Sequence, residues 1–94
     1  MKILRKKSRR DGWEYAEIEN TLEALQAEVG GYIETVSFLT DCCIIVNEEG
    51  RINAMPFNLN FAGLQLFGPV LLVGVKGDEF CDVPIKDNFL KHLK

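Results

Sequence analysis

Apolar positions recur along this chain at two different spacings, and the switches between them divide it into elements. KILRK opens with Ile3 and Leu4 among cations, and WEYAEIE at 13–19 sets Trp13, Tyr15 and Glu17 against Glu14, Ala16 and Ile18, the alternation of a strand. Asp11-Gly12 lies between the two, a dipeptide suited to the positive φ of tight turns, so residues 2–19 predict a hairpin. Its cations would face Glu14, Glu17 or Glu19, and each such cross-strand pair contributes roughly 0.2–1 kcal/mol.

Asn20 followed by Glu23 has the spacing of a capping box, and Leu22, Leu25 and Val29 form one stripe that ends at Gly30-Gly31, predicting a short helix over 21–29. YIETVSFL at 32–39 is rich in β-branched and aromatic residues and reads as a strand broken by Thr40-Asp41. CCIIV at 42–46 is apolar without interruption, NEEG at 47–50 is a turn, and RINAM at 51–55 returns as the second strand of another hairpin. Pro56 ends that strand, and FNLNFAGLQLF at 57–67 alternates weakly, compatible with a loop or a short helix. PVLLVGV at 69–75 is a strand apolar on both faces, and KGDEF is a turn. Asp82, Val83 and Pro84 open a last helix along which Ile85, Phe89 and Leu93 recur every four residues.

This order predicts a single α+β domain over residues 1–94, with a mainly antiparallel sheet of five to six strands and two short helices, one after the N-terminal hairpin and one C-terminal. CCIIV and PVLLVGV both require cover on two sides, more than two short helices supply. The expectation is therefore a homo-oligomer, dimer or higher, in which a partner subunit provides the missing layer.

A hydrophobic fraction of 47% with 27% charged residues in 94 is the composition of a folded chain. The first ten residues lack the apolar block of a secretory signal, and the longest apolar run, FGPVLLVGV, is nine residues, about half of what a spanning helix needs. A cytoplasmic protein without membrane association is expected. Three cysteines, two of them adjacent and so facing opposite ways on a strand, fit buried reduced thiols rather than a disulfide framework.

Charge is distributed unevenly. Six Lys/Arg occupy residues 1–10, while the rest holds five against fourteen Asp/Glu, a balance of −9 within a net charge of −3. The acidic body would repel phosphates and its carboxylates lie within reach of most of the cations, so nucleic acid is not the expected partner.

No catalytic or metal constellation stands out. His92 sits near the end on the last helix, where only Cys81 would serve as its nucleophile, and the cysteines and histidine lack zinc-ligand spacing. Gly30-Gly31 follows a helix instead of preceding one, so no phosphate cradle forms there. Neither cofactor nor metal is expected, and the chain reads as a non-enzyme. Two constellations are candidates for binding: Arg9, Arg10, Trp13 and Tyr15 as an aromatic-and-basic platform, and Asn58 with Asn60, whose amides lie between apolar residues.

The runs IENTLEALQAEVGGYIE, IIVNEEGRINAMPFN and LFGPVLLVGV resemble a small family found in bacteriophages and mobile elements and catalogued as a domain of unknown function (number 3846), from about Ile18 to about Val75. The resemblance implies that Asn58 and Gly68 are family features without an agreed catalytic role. The resemblance supplies a setting without a mechanism. That setting, taken with the small acidic size and the absence of catalytic chemistry, leads to the expectation of a non-enzymatic accessory or counter-defence protein that occupies a host protein or sequesters a small nucleotide-like signalling ligand at an oligomer interface. Asn58, Asn60, Arg51 and the Tyr32 region would line that pocket. Two alternatives are an acidic nucleic-acid mimic inhibiting a host nuclease or a CRISPR or restriction component, and a nucleic-acid-binding module using Arg9, Arg10 and Trp13 of the N-terminal hairpin.

Overall fold

The two uninterrupted apolar runs become the centre of the fold. A computed structural model of the protein describes residues 1–61 and 63–84. Its elements are β1 (Lys2–Lys6), β2 (Glu14–Glu17), α1 (Leu22–Val29), β3 (Ile33–Leu39), β4 (Cys42–Asn47), β5 (Phe57–Phe61), β6 (Leu64–Phe67), β7 (Val70–Lys76) and β8 (Glu79–Cys81). The main sheet runs β2-β1-β7-β4-β3, with β8 also paired to β7, and β5–β6 form a separate two-stranded sheet. Every pairing among the described residues is antiparallel.

β7 sits between β1 and β4, with Leu72 opposite both Leu4 and Ile44. Alternate residues of the central strands enter two separate cores. Leu4, Cys42, Ile44, Val46, Val70 and Leu72 join Leu66 of β6 and Val83 on one face. Ile3, Cys43, Ile45, Leu71 and Val73 join Leu25 and Val29 of α1 on the other. The molecule is thus three layers deep: helix, sheet, hairpin. The adjacent cysteines face opposite cores, are both buried, and carry no disulfide, as their alternation requires.

This layering removes the premise for a second subunit as cover. The hairpin β5–β6 shields the face of β4 and β7 that the helix leaves open, so both central strands are enclosed by their own chain.

Four local expectations are also corrected, the first being KGDEF, which turns only at Gly77-Asp78 before Glu79–Cys81 pair with β7 as β8. Residues 51–54 are turn and Met55 lies outside any strand; the antiparallel partner of β4 in its hairpin is β3, joined through Thr40-Asp41. Within 57–67, residues 57–61 and 64–67 are neither loop nor helix but the paired strands β5 and β6. The helix is capped by Thr21, whose hydroxyl accepts from the Ala24 N–H at 3.1 Å, whereas Asn20 turns its amide outward to donate to the Phe80 carbonyl at 2.9 Å. The stop at Gly30 is as predicted, left-handed at φ 81°, with its N–H on the Gln26 carbonyl. α1 is the one helix among the described residues, and the expected C-terminal helix with Ile85, Phe89, His92 and Leu93 lies outside them.

The charge-laddered N-terminal hairpin is present. Lys2 stands opposite Glu17 and Arg5 opposite Glu14. Arg5 bridges Glu14 at 2.9 Å and Glu28 of α1 at 2.8 Å, and Lys7 lies 3.6 Å from Glu14. The Arg5 hydrogen bond holds the Glu14 carboxyl below its ordinary value, and the same bond raises the Arg5 guanidinium.

Candidate functional site

Along β5 the register slips between Phe57 and Leu59, so Asn58 is the extra residue of a bulge. Without the slip, Phe57, Leu59 and Phe61 would share one face. With it, Leu59 and Phe61 go inward with Leu66, while Phe57 pairs with Phe67 on the outer side. The two rings meet edge to face, with centroids 5.8 Å apart.

Asn58 fixes this hairpin to the sheet. It is 2% exposed, and its amide nitrogen donates to the Lys6 and Gly68 carbonyls at 2.9 and 2.8 Å while its oxygen accepts from the Lys6 ammonium at 2.9 Å. That ammonium also donates to the carbonyls of Ser8 and Arg9, at 2.7 and 3.1 Å. Its three N–H groups thereby tie the β1–β2 loop to β5, and partial burial lowers its proton affinity below the usual lysine range. Arg9, carried by that loop, extends its guanidinium over the Phe57 ring at 5.9 Å.

The other end is built by the turn after β4. Buried Asn47 donates to the Val29 carbonyl at 3.1 Å and accepts from the Glu49 N–H at 2.7 Å, joining the end of α1 to this turn. Gly50 then passes so close to β6 that a Cβ there would lie 2.9 Å from the Phe67 carbonyl oxygen. The following residue, Arg51, is brought over the Phe67 ring at 5.1 Å, where its guanidinium donates to the Gln65 side-chain oxygen at 2.8 Å. Gly68, at φ 78°, lies under Met55 with no room for a Cβ, which would come within 2.7 Å of the sulfur.

The result is a row on the outer face of the hairpin: Arg9, Phe57, Phe67, Arg51, with Gln65 and exposed Asn60 paired beside it. A shallow cleft opens at the Arg51 end, with Glu34 and Glu48 on its opposite wall. Guanidinium planes over rings accept oxyanions in a fork and stack against planar groups. The row contains no hydroxyl, thiol or imidazole.

The sequence-derived candidates separate here. Arg9, Arg51 and Asn60 come together on the hairpin. Asn58 lies beneath them with both amide hydrogens and its oxygen engaged internally, which makes it a fastening. Trp13 packs inward against the hairpin-side core with its indole nitrogen buried and without a hydrogen-bond partner, so it forms no exposed platform with Arg9. Arg10 is exposed on the β1–β2 loop. Tyr32 is 68% exposed at the start of β3, outside the row. Phe57, Phe67 and Gln65 were missed; the available signal was an asparagine inside an aromatic alternation, which marks a bulge as readily as a loop.

Burial raises the Cys43 thiol, removing it further from thiolate chemistry. Among the described residues no group of three or more His, Cys, Asp or Glu is placed to hold a metal ion, and no helix is long and apolar enough to cross a membrane.

The family model described as Domain of unknown function (DUF3846) matches residues 1–94, and the chain belongs to that family. The match takes in the basic first strand and both ends, beyond the stretch that carried the resemblance. No curated protein and no solved structure matches the chain.

Proposed function

We propose that this family member is a non-enzymatic binding protein that takes a nucleotide-like ligand, a planar ring bearing phosphate, on the outer face of the β5–β6 hairpin. The observation that carries this reading is the row of two guanidinium groups over two phenylalanine rings, held from both ends by buried amides. A folded cover for the sheet has no need of rings on its outer side. Arginine supplies the fork for phosphate oxygens, and rings and guanidinium planes supply stacking surface for a base. Sequestering a host signalling nucleotide, as an accessory or counter-defence protein would, is the biological form of the proposal.

Titrating the protein with a panel of nucleoside mono-, di- and triphosphates, observed by NMR of the Phe57 and Phe67 rings, tests it. Ring resonances should move saturably, and Arg9→Ala and Arg51→Ala should each weaken binding about tenfold or more, the worth of a charge-assisted bond. Unmoved rings across the panel would sink the reading. Binding only of single-stranded oligonucleotides would instead favour the nucleic-acid module, for which Arg9 and Arg10 are the exposed cations of the N-terminal loop.

The acidic-mimic alternative draws on Glu17, Glu19 and Glu23, all exposed around β2 and the start of α1. A protein partner whose affinity falls steeply with salt would bring it forward.

A further inference from the structure

The edges of the main sheet are not alike. β2 spans four residues, two of them glutamates, and β8 spans three. Short length and charge are the ordinary protection of an edge against strand addition. β3 spans seven residues, has neither lysine nor proline, and carries a single carboxylate, Glu34. Among the described residues it pairs only with β4.

The ladder identifies which of its backbone groups face outward. The Glu48 N–H donates to the Tyr32 carbonyl at 2.8 Å, so those two residues form a hydrogen-bonded pair. Alternation along the register then directs the groups of Glu34 and Val36 to β4 and turns the N–H and C=O of Ile33, Thr35 and Ser37 away from the sheet. The same alternation holds on the far side of β4, where the Val75 N–H donates to the Asp41 carbonyl at 2.8 Å. The regular ladder ends at the slip between Ser37 and Leu39, leaving a straight segment centred on Thr35.

We propose that β3 is where two copies of this chain join, antiparallel about Thr35, extending one sheet through both. Thr35 then lies opposite Thr35 of the second copy and Ile33 opposite its Ser37, so every outward donor meets an acceptor without change to either fold. Self-pairing satisfies both strands at once because the segment is its own complement. Charge does not oppose this edge. The chain carries a net charge of only −3, and β3 offers one carboxylate and no cation in seven residues, so little like charge meets across this edge. In this register Glu34 faces Val36 of the second copy, and the two Glu34 carboxylates are only diagonal neighbours, with Cα atoms roughly 7–8 Å apart. Tyr32 and Leu39, 68% and 48% exposed at the two ends, gain cover from the joined edge. This association needs no cover for the central strands, and of the three outward-facing residues Ile33, Thr35 and Ser37 none lines the cleft beside Arg51.

Sedimentation velocity of the full chain across a concentration series, with amide hydrogen exchange at its two ends, tests it. A monomer–dimer equilibrium is expected, with the Ile33, Thr35 and Ser37 amides exchanging more slowly in the concentrated sample and those of Glu34 and Val36 protected in both. Thr35→Pro removes an outward N–H, which an edge strand tolerates, and should abolish the dimer with the melting curve retained. Thr35→Lys keeps every backbone group but sets like charges opposite each other at the dyad; it should weaken the dimer about tenfold, with recovery in high salt. Glu34→Gln should tighten it. A monomer at every concentration, a dimer untouched by both Thr35 variants, or one that leaves the three outward amides unprotected would overturn the proposal.

Discussion

The helix and the hairpin cover opposite faces of one sheet by different means. α1 is attached chiefly by apolar burial, Leu25 and Val29 being 2% and 0% exposed and each such side chain contributing about 1.5–3 kcal/mol, with polar ties only at its last turn, Glu28 to Arg5 and the Val29 carbonyl to Asn47. Its outer side is ordinary helix surface, with Glu23 and Ala27 exposed. The hairpin sends Leu59, Phe61 and Leu66 inward but is also fastened by the Asn58 amide to two carbonyls and an ammonium. Polar fastening leaves its far side free to carry rings and guanidinium groups. A cover that is only a cover would resemble the helix, and this difference is the ground for the role proposed for the hairpin.

Leu25→Ala should have the largest effect, about 2–5 kcal/mol from lost burial and the cavity left behind. A urea melt followed by far-UV circular dichroism should stay a single transition, because the helix-side core includes both central strands. Asn58→Ala should cost about 1–3 kcal/mol by orphaning the Lys6 and Gly68 carbonyls and one ammonium hydrogen. Amide exchange should then quicken across β5 and β6 ahead of β7, a local opening that Leu25→Ala should not produce. If both variants loosened the molecule uniformly, the contrast between the covers would be lost.

Ala54 has a φ of 55° in the turn that carries Arg51. Ala54→Gly should stabilise the protein by about 1 kcal/mol, read as a higher melting temperature.

The smallest effect concerns the helix side. The Arg5 hydrogen bond depresses the Glu14 carboxyl below its ordinary value of 4.5, so the folded form holds fewer protons there than the unfolded chain does. The contribution is full above that value and fades as pH falls through the depressed one. Glu14→Gln should therefore melt slightly below the unmodified protein at pH 7, and the gap should close in acid.

Strand and helix positions were legible wherever one periodicity ran unbroken: β1, β2, α1, β3, β4 and β7 all follow their patterns. The β5–β6 hairpin was not: FNLNF does alternate, but the stretch through residue 67 does so too weakly to announce a strand, and the bulge at Asn58, which turns Phe57 to the outer side, breaks the match between alternation and face. The need for cover on both sides of CCIIV and PVLLVGV was read correctly, but its source was misplaced, since the unrecognised hairpin was the missing layer. At the candidate site, Arg9, Arg51 and Asn60 were named as residues without any sign that one hairpin would gather them. Asn58 drew attention for the right physical reason, an amide in apolar company, and proved to be a buried fastening.

β7 separates β1 from β4, and this governs how the molecule assembles. The β1–β2 and β3–β4 hairpins can each close from neighbouring stretches of polypeptide, yet neither touches the other until residues 70–76 slide between them. During synthesis, CCIIV must wait with its β7-facing side exposed until that wedge leaves the ribosome. Insertion of the central strand is then the late, slow event, as distant pairings are. Until it occurs, two hairpins carry apolar surface that only the completed sheet encloses, the kind of exposure that favours aggregation.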